Sequence, residues 1–548
     1  MIWQLPLLLA VALVLGNRWA PLQRAGAAFA RALESRWTPL AIAAVSAVIF
    51  TLAWGSLRQI PVIHDEASYL LQAKLFAAGK WTADPPPMPS FFEQFHVFVV
   101  PRFASKYPPG HPLLLVPGIW LGLPGLMPVV LSAIAAALFF SIVRRILNGT
   151  VALWAWIIWI STPFVLWIMA SYFSQSTSAV CWFGGWYALL RWRENADGRW
   201  LLAVAAAVAW LGLTRPLTAL AYAIPVGIYV LVRVARTGQW RALASAMALG
   251  FVMLLAIPFW SAKTIGTWRT TPYSLYSKLY FPWDSPGFGL DSTPPLRDLP
   301  PDMKIIAEVT APPHRAYVPS AMPSVLGKRL AYVARDMWGA PRLVLIAFAL
   351  IGVFFLSAEM AFALGSVLAL MVTYLWFGHH YKWTVYYAEI QPVLAAVTAI
   401  GLWRVLRWRE HPIGPRVVPA AAAGASLVLA LGACLFERSV IRVTNARNYN
   451  NRAYQGAFLS MINALPAEKA IVFVRYGPNH NPHTALVYND PDLAKAKRWI
   501  VYDRGPENQQ LLKLAPGRVG YLYDEGNSAI SQYGPDGKEM PVTGTRRQ

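Results

Sequence analysis

The sequence predicts a polytopic α-helical membrane protein with about twelve transmembrane helices and a small C-terminal soluble α/β domain. Its 548 residues are 56% hydrophobic and only 14% charged, whereas soluble domains carry about 25% charged residues. Apolar runs of about 17 to 21 residues recur along the chain, and this length spans a hydrocarbon core about 30 Å thick. After residue 437 short β-type segments begin.

Each apolar run predicts one span. In lipid an open chain must satisfy its backbone hydrogen bonds internally, so every run is expected to be a helix. The predicted spans are residues 2–17, 38–57, 126–143, 150–170, 174–190, 200–214, 217–232, 242–260, 341–357, 359–377, 386–403 and 417–436.

Arginines cluster in the short connectors between these runs, and all the clusters fall on one side of the predicted membrane. They lie at 18–36, 144–145, 191–199, 233–241 and 404–416. The positive-inside rule makes that side cytoplasmic. The segments 58–125, 261–340 and 437–548 are then outside. Despite a formal net charge of +22, charge spread over connectors argues against a nucleic-acid partner, which would require a basic stripe or tail.

The acidic pair Asp65 and Glu66 comes just after the second predicted span, at the outer side. Carboxylates at the mouth of a span are costly to place and indicate function. The run 66–79 predicts an amphipathic helix that stops at a glycine, with Asp65 at its N-cap or in its first turn. One carboxylate would act as a general base; its neighbour would bind a cation, orient an acceptor or hold the helix. The alternative is that both only support the helix start.

Basic and aromatic residues in the predicted outer segments form the second group of candidates. Cations there can hold a lipid-linked phosphate, or they can anchor the chain to anionic headgroups. The aromatic residues suit stacking on sugar rings or an interfacial belt. The candidates for substrate and phosphate binding are Arg102, Lys106, Tyr107, His111, Arg215, Lys263, Tyr273, His380 and Lys382.

No recognised metal-binding or nucleotide-binding motif accompanies these residues. The sequence therefore assigns no metal ligands and no definite cofactor, and it leaves a divalent cation open. Cys181 and Cys434 lie in apolar runs and are expected to be buried small hydrophobes.

The C-terminal region changes character. Segments 470–474, 499–502 and 519–523 alternate with Gly, Pro, Asn and Asp turns and predict short strands, and the run 451–465 predicts a helix. Together they predict a soluble α/β domain of about 110 residues, an ordinary domain size.

Several short motifs, taken in order, resemble the GT-C glycosyltransferases, in the branch of the protein O-mannosyltransferases and lipid A aminoarabinose transferases. The resemblance covers roughly residues 38–403. Its pieces are Asp65-Glu66, Tyr69-Leu-Leu-Gln-Ala, Gly79, Ser105-Lys-Tyr-Pro-Pro-Gly110, Ser171-Tyr-Phe-Ser-Gln175, Arg215-Pro216, Thr271-Pro-Tyr273 and Gly287-Phe-Gly289. Relatives often carry histidine where this sequence has Gln175. A role that depends on the imidazole of that histidine is therefore not carried over to this sequence.

The resemblance implies that residues 38–436 form a GT-C-type transmembrane catalytic domain with outer loops 58–125 and 261–340. The hydropathy and strand patterns add an extra N-terminal helix and connector in 1–37 and the outer α/β domain in 437–548. The resemblance also implies an inverting transfer of a sugar from a polyprenyl-phosphate donor to a glycan, lipid or protein acceptor, with Asp65 as the base. The expected location is the bacterial inner membrane, with the active site and C-terminal domain facing the periplasm or outside, in contact with membrane lipids. The alternative is a transporter or flippase of lipid-linked saccharides, although such proteins carry charges near the bilayer midplane.

Overall fold

The computed structural model describes residues 20–340, 342–406, 440–534 and 539–541. These residues pack into two compact units. The first holds the described residues of Met1–Leu57, Gly125–Leu254 and Ser320–Asn448, and the second holds Arg58–Pro124, Leu255–Pro319 and the described residues of Tyr449–Gln548.

The first unit is helical in the part of the chain that the structure describes. Each of the ten predicted spans that fall on described residues contains helix. The α-helices are Ala20–Leu33, Thr38–Trp54, Leu126–Ile146, Gly149–Ile160, Pro163–Met169, Gln175–Asn195, Arg199–Gly212, Pro216–Thr237, Trp240–Leu254, Met322–Trp338, Leu345–Val353, Ala358–Thr373, Ile390–Leu406 and the start of Val440–Asn463. The predicted spans 2–17 and 417–436 lie outside the described residues.

The predicted number of twelve spans is not confirmed. Among the described residues, four helices are long and apolar enough to cross a membrane, and two bent helix pairs raise the number to six if each pair is one span. The four are Leu126–Ile146, Pro216–Thr237, Trp240–Ile265 and Ala358–Trp376. Most of the other predicted spans are shorter helices; the run 341–357, for example, contains only the helix Leu345–Val353.

The predicted span 150–170 is two helices that meet at an angle of 78°. The break falls at Thr162, whose backbone is extended (ψ 125°) immediately before Pro163. A residue before proline avoids the helical conformation, and the proline itself donates no hydrogen bond. The Thr162-Pro163 pair therefore explains why one apolar run gives two helices.

The second unit combines the remaining helices with two sheets. Its α-helices are His64–Ala77, Gly110–Trp120, Ala256–Ile265, Pro272–Tyr280, Pro301–Thr310, the end of Val440–Asn463, and Asn508–Leu514. Its strands are β1 (Val97–Phe98), β2 (Ala104–Ser105), β3 (Ala470–Arg475), β4 (Arg498–Tyr502), β5 (Val519–Asp524), β6 (Ala529–Tyr533) and β7 (Glu539–Pro541). The three strands predicted from the sequence are confirmed as β3, β4 and β5, and the predicted helix 451–465 lies on Val440–Asn463.

The larger sheet has the strand order β4-β3-β5-β6-β7. β3 runs parallel to β4 and β5, and β6 and β7 continue the sheet in antiparallel fashion. β3 is central and its first five residues are buried, which fits its uninterrupted apolar sequence.

Both faces of this sheet are covered. On one face, Phe473 packs in a buried cluster with Leu71 and Phe92 from the first predicted outer loop. On the other, Val472 packs with Phe458 and neighbours from the helix Val440–Asn463. Because alternate strand residues point to opposite faces, β3 joins the two cores. The loop that carries Asp65 is therefore built onto the C-terminal sheet within the second unit.

Candidate active site

Asp65 lies in the first turn of the helix His64–Ala77. The neighbouring Glu66 fixes this helix start, because its Oε2 accepts hydrogen bonds from the backbone N–H groups of Val62 (2.8 Å) and Ile63 (3.3 Å). Of the roles predicted for Glu66, these contacts favour holding the helix. The helix ends before Gly79, which has a φ of +70°, the left-handed conformation that ends many helices. The predicted glycine stop is confirmed.

The two carboxylate oxygens of Asp65 have different surroundings. The Tyr107 hydroxyl donates a hydrogen bond of 2.5 Å to Oδ1. Oδ2 faces Nε2 of His96 at 3.8 Å, which is too long for a direct hydrogen bond. The Asp65 side chain remains 30% exposed, so one oxygen is fixed while the group stays accessible to a ligand.

Lys106 supplies a positive charge that acts on this carboxylate. Its Nζ lies 3.6 Å from Oδ2 of Asp284, and only 1% of the Lys106 side chain is exposed. The ammonium also lies over the rings of Tyr273 (4.3 Å to the centroid), Tyr276 (4.8 Å) and Tyr107 (5.4 Å), at distances typical of cation–π contacts. Lys106 is thus a buried positive charge that acts on Asp65 electrostatically rather than by direct contact.

Burial is the largest influence on the pKa values of Asp65 and His96. Enclosure raises the pKa of Asp65 above its ordinary value, while the Tyr107 hydrogen bond and the Lys106 charge offset part of the rise. Burial also lowers the pKa of His96 well below its usual value, and the Lys106 charge lowers it further. His96 is therefore neutral at neutral pH. A carboxylate with a raised pKa is a stronger base than an ordinary aspartate, which suits proton abstraction.

The other predicted candidates of the second unit lie elsewhere on its surface or in its core. Arg102 is half exposed and pairs with Asp84 at 2.7 Å. Lys263 is exposed, with Nζ 5.5 Å from the centroid of Phe259. His111 is fully buried and packs edge-to-face on Tyr69, which itself stacks on Tyr107 at 4.7 Å. Of the predicted site residues, the structure brings together Asp65, Lys106, Tyr107 and Tyr273.

Arg215, His380 and Lys382 belong to the first unit. Arg215 is buried at the start of the helix Pro216–Thr237, where Nη1 lies 3.4 Å from Oε1 of Glu389 and Nη2 lies 3.3 Å from the Tyr374 hydroxyl. His380 stacks on the ring of Tyr381, and its Nδ1 accepts from the Lys382 N–H at 3.3 Å. The expected phosphate-binding Arg215 thus has a carboxylate partner, Glu389, that the sequence reasoning did not single out.

The sequence reasoning also missed His96 and Asp284. Asp284 is the one acidic residue in the aromatic and basic stretch 263–288, a signal that could have identified it as a partner for a lysine. His96, between Phe95 and Val97, carries no such signal. Within the described ranges, no group of three or more His, Cys, Asp or Glu residues could hold a metal ion.

Residues 80–264 match the sequence model of the Alg9-like mannosyltransferase family. This match covers about a third of the chain and supports the predicted resemblance to the GT-C glycosyltransferases. The matched segment includes Lys106, Tyr107 and Arg215, and it begins after Asp65. Comparison with curated protein sequences finds no significant match.

Two solved proteins illustrate the structural similarity. ArnT from Cupriavidus metallidurans bound to undecaprenyl phosphate has a TM-score of 0.48 and 14% identity, over 89% of this chain and 94% of that one. The oligosaccharyltransferase of Archaeoglobus fulgidus in its apo form has a TM-score of 0.44 and 12% identity, over 89% and 69%. Similarities of this size do not identify a ligand.

Proposed function

We propose that the protein transfers a sugar, with inversion, from a polyprenyl-phosphate donor to a hydroxyl-bearing acceptor at the outer face of the membrane. The observation that carries this proposal is the arrangement around Asp65: one carboxylate oxygen is fixed by Tyr107, and the other is free to accept a proton. In a single displacement, the acceptor oxygen attacks the anomeric carbon and its proton passes to Asp65. The bond to the phosphate breaks, and its electron pair leaves with the polyprenyl phosphate.

The buried Lys106 supports both ends of this step. Its charge, enclosed by protein, is weakly screened and favours the ionised form of Asp65 and the negative charge that develops on the departing phosphate. Within the second unit we propose Arg102 and Lys263, whose side chains are exposed, for direct phosphate contact, and Tyr273 for sugar stacking. A role of Arg215, His380 and Lys382 in phosphate binding stays a prediction from the sequence. No step of the proposal requires a cation, and a divalent ion stays an open addition.

The outer location follows from the charge pattern along the sequence. It is supported by which segments of the chain form the second unit. That unit is formed by 58–124, 255–319 and 449–548, close to the three segments that the positive-inside rule places outside. A lipid-linked donor suits this side, because a membrane-embedded donor is available there and a cytosolic nucleotide sugar is not. The proposed setting is the bacterial inner membrane, with 437–548 facing the periplasm and helping to receive a glycan, lipid or protein acceptor.

The substitution Asp65→Asn tests the proposal. In lipid nanodiscs with undecaprenyl-phosphate mannose as donor and methyl mannoside as a simple alcohol acceptor, we expect the loss of the base to slow transfer by about 10²- to 10⁴-fold. The product should have the opposite anomeric configuration to the donor, which NMR would reveal. Asp298→Asn is the matched control, because Asp298 is 75% exposed in a surface pair with Lys304.

Two outcomes would contradict the proposal. Transfer by Asp65→Asn at the wild-type rate would remove Asp65 from the role of base. A wild-type protein that leaves the donor intact but moves it across a proteoliposome membrane would instead be the flippase that the sequence left as the alternative.

A further inference from the structure

His96 has a left-handed backbone conformation, which is uncommon for residues other than glycine. The N–H of Val97 donates to the carbonyl of Gln94 at 3.3 Å, which closes a four-residue turn. His96 is the third residue of this turn, with a φ of +63°, at the position where glycine or asparagine is usual. A larger residue in this region is strained and persists only where its surroundings hold it, most often at functional sites.

Three contacts hold His96 in place. Its backbone N–H donates to the Tyr276 hydroxyl at 2.7 Å. Its carbonyl accepts from the Ser68 hydroxyl at 2.8 Å and from the Lys106 N–H at 2.9 Å. The donors and acceptor come from the Asp65 helix, from the segment after β2 and from the helix Pro272–Tyr280. The same elements that carry Asp65, Lys106 and Tyr273 therefore fix the strained turn.

The turn directs the His96 imidazole at the free oxygen of Asp65. Nε2 lies 3.8 Å from Oδ2, and Nδ1 is buried without a hydrogen-bond partner among the described residues. A neutral imidazole carries one proton, and the nearby carboxylate draws it to Nε2, since Nδ1 meets no acceptor. His96 then presents an N–H donor, and Asp65 a proton acceptor, to the space between them.

That separation fits one bridging hydroxyl. An oxygen about 2.8 Å from both Nε2 and Oδ2 makes an ordinary hydrogen bond to each, and the geometry of the triangle brings the two bonds to an angle of about 85°. We propose that His96 binds the acceptor: its Nε2–H donates to the hydroxyl oxygen of the acceptor while that hydroxyl gives its proton to Oδ2 of Asp65. This inference rests on the proposed function and adds to it the residue that selects the attacking atom.

The arrangement specifies the chemical class of the acceptor. An alcohol oxygen has lone pairs for the Nε2–H donor and for the anomeric carbon, and a hydrogen for the carboxylate. A protonated amine has no lone pair that could accept from the Nε2–H of His96. Its own N–H groups would instead face this N–H, so that two donors would meet. The acceptor group is therefore an uncharged hydroxyl, whichever molecule bears it.

Three variants test the role of His96. Asparagine tolerates the left-handed conformation but is too short to reach the Nε2 position, so His96→Asn should keep or raise the apparent melting temperature. With undecaprenyl-phosphate mannose and methyl mannoside, we expect its KM for methyl mannoside to rise about 10- to 100-fold while its KM for the donor is unchanged. His96→Phe fills the site without a donor and should raise the KM for methyl mannoside in the same way, while its bulk at this positive φ should lower the melting temperature. His96→Gln restores an N–H near Nε2 and should recover part of the loss.

The outcomes separate the two proposals. If the asparagine and phenylalanine variants keep the wild-type KM for methyl mannoside and change only the melting temperature, His96 serves the turn alone and the inference is overturned. If glutamine recovers nothing that phenylalanine loses, the donor role is also overturned. Failure of the proposed function is a different result: wild-type protein and Asp65→Asn would then consume the donor equally.

Discussion

The Tyr107 hydroxyl donates to Oδ1 of Asp65 across 2.5 Å, joining residues 42 positions apart in the chain. Tyr107 is held for this contact, because its own N–H donates to the Ser105 hydroxyl at 3.0 Å. The contact leaves Oδ2 as the reactive oxygen. It also favours the ionised carboxylate, since a hydrogen bond to the charged form lowers the pKa of an acid.

The first prediction concerns Tyr107→Phe. Removing the hydrogen bond raises the pKa of Asp65 above its already raised value, because a hydrogen bond to the charged form holds the pKa down. A base works only when ionised, so the acidic limb of the pH–rate profile should move to higher pH. Transfer should therefore fall more at pH 5.5 than at pH 8. The exposed Tyr449→Phe is the control, and an unmoved acidic limb would exclude the role given to Tyr107.

The second prediction concerns the Lys106–Asp284 pair. Lys106 is 1% exposed and Asp284 is 32% exposed, so the two partners differ in their access to water. Asp284→Asn leaves a buried ammonium and should destabilise the protein by about 3 kcal/mol. Lys106→Met leaves a carboxylate that water reaches and should cost less, about 1 kcal/mol. Apparent melting temperatures of the purified variants would show this order.

The matched control for this pair is Lys304→Met, which breaks a surface contact between side chains 57% and 75% exposed. Its effect should be near zero, because exposed ion pairs contribute little. Equal losses from Asp284→Asn and Lys106→Met would mean that burial does not decide the stability of the pair.

The sequence predicted the local elements of this protein better than their assembly. The helix carrying Asp65 and the strands β3 to β5 follow from hydrophobic patterns and turn residues, which act over a few positions. The break before Pro163 was not predicted, although the sequence carries a local signal for it, because proline acts on the residue that precedes it. The packing of the first loop against β3 carries no such signal, since it joins segments almost 400 residues apart.

The candidate site shows the same division. Asp65, Lys106, Tyr107 and Tyr273 were selected by residue type, and the fold brings them together. His96 was missed because its importance lies in a backbone angle and in three tertiary hydrogen bonds that no local pattern encodes. Glu389 could have been noticed, since a lone carboxylate in the predicted span 386–403 is unusual.

The third prediction concerns Asp302, which is fully buried in the first turn of the helix Pro301–Thr310. Its Oδ1 accepts from the Tyr502 hydroxyl and the Met303 N–H, both at 2.8 Å, while Oδ2 has no hydrogen-bond partner among the described residues. Burial raises the pKa of Asp302 to about 7 from 3.8. The folded state therefore holds a proton that the unfolded state releases, and this contribution to stability is lost as the pH rises from about 4 through 7.

Asp302→Asn should remove that loss. Asparagine keeps the Oδ1 acceptor and is neutral at every pH, so the variant should match wild type near pH 4 and exceed it above pH 7, by on the order of a few kcal/mol. Melting temperatures of both proteins from pH 4 to pH 8.5 would measure the difference. Parallel curves, with the variant displaced equally at all pH values, would show that Asp302 does not titrate in this window.

The fourth prediction tests the orientation of the chain in the membrane. Asn450 is exposed on the helix Val440–Asn463, and Asn195 is exposed at the end of Gln175–Asn195 beside the arginine cluster 191–199. The positive-inside rule puts these two positions on opposite sides. We therefore expect Asn450→Cys to react with a membrane-impermeant maleimide in intact cells and Asn195→Cys to react only after permeabilisation.

Wild-type protein provides the background of the native cysteines, of which Cys181 is buried. The reverse labelling pattern would place Asp65 in the cytoplasm, where nucleotide sugars are present, and would remove the reason for a lipid-linked donor.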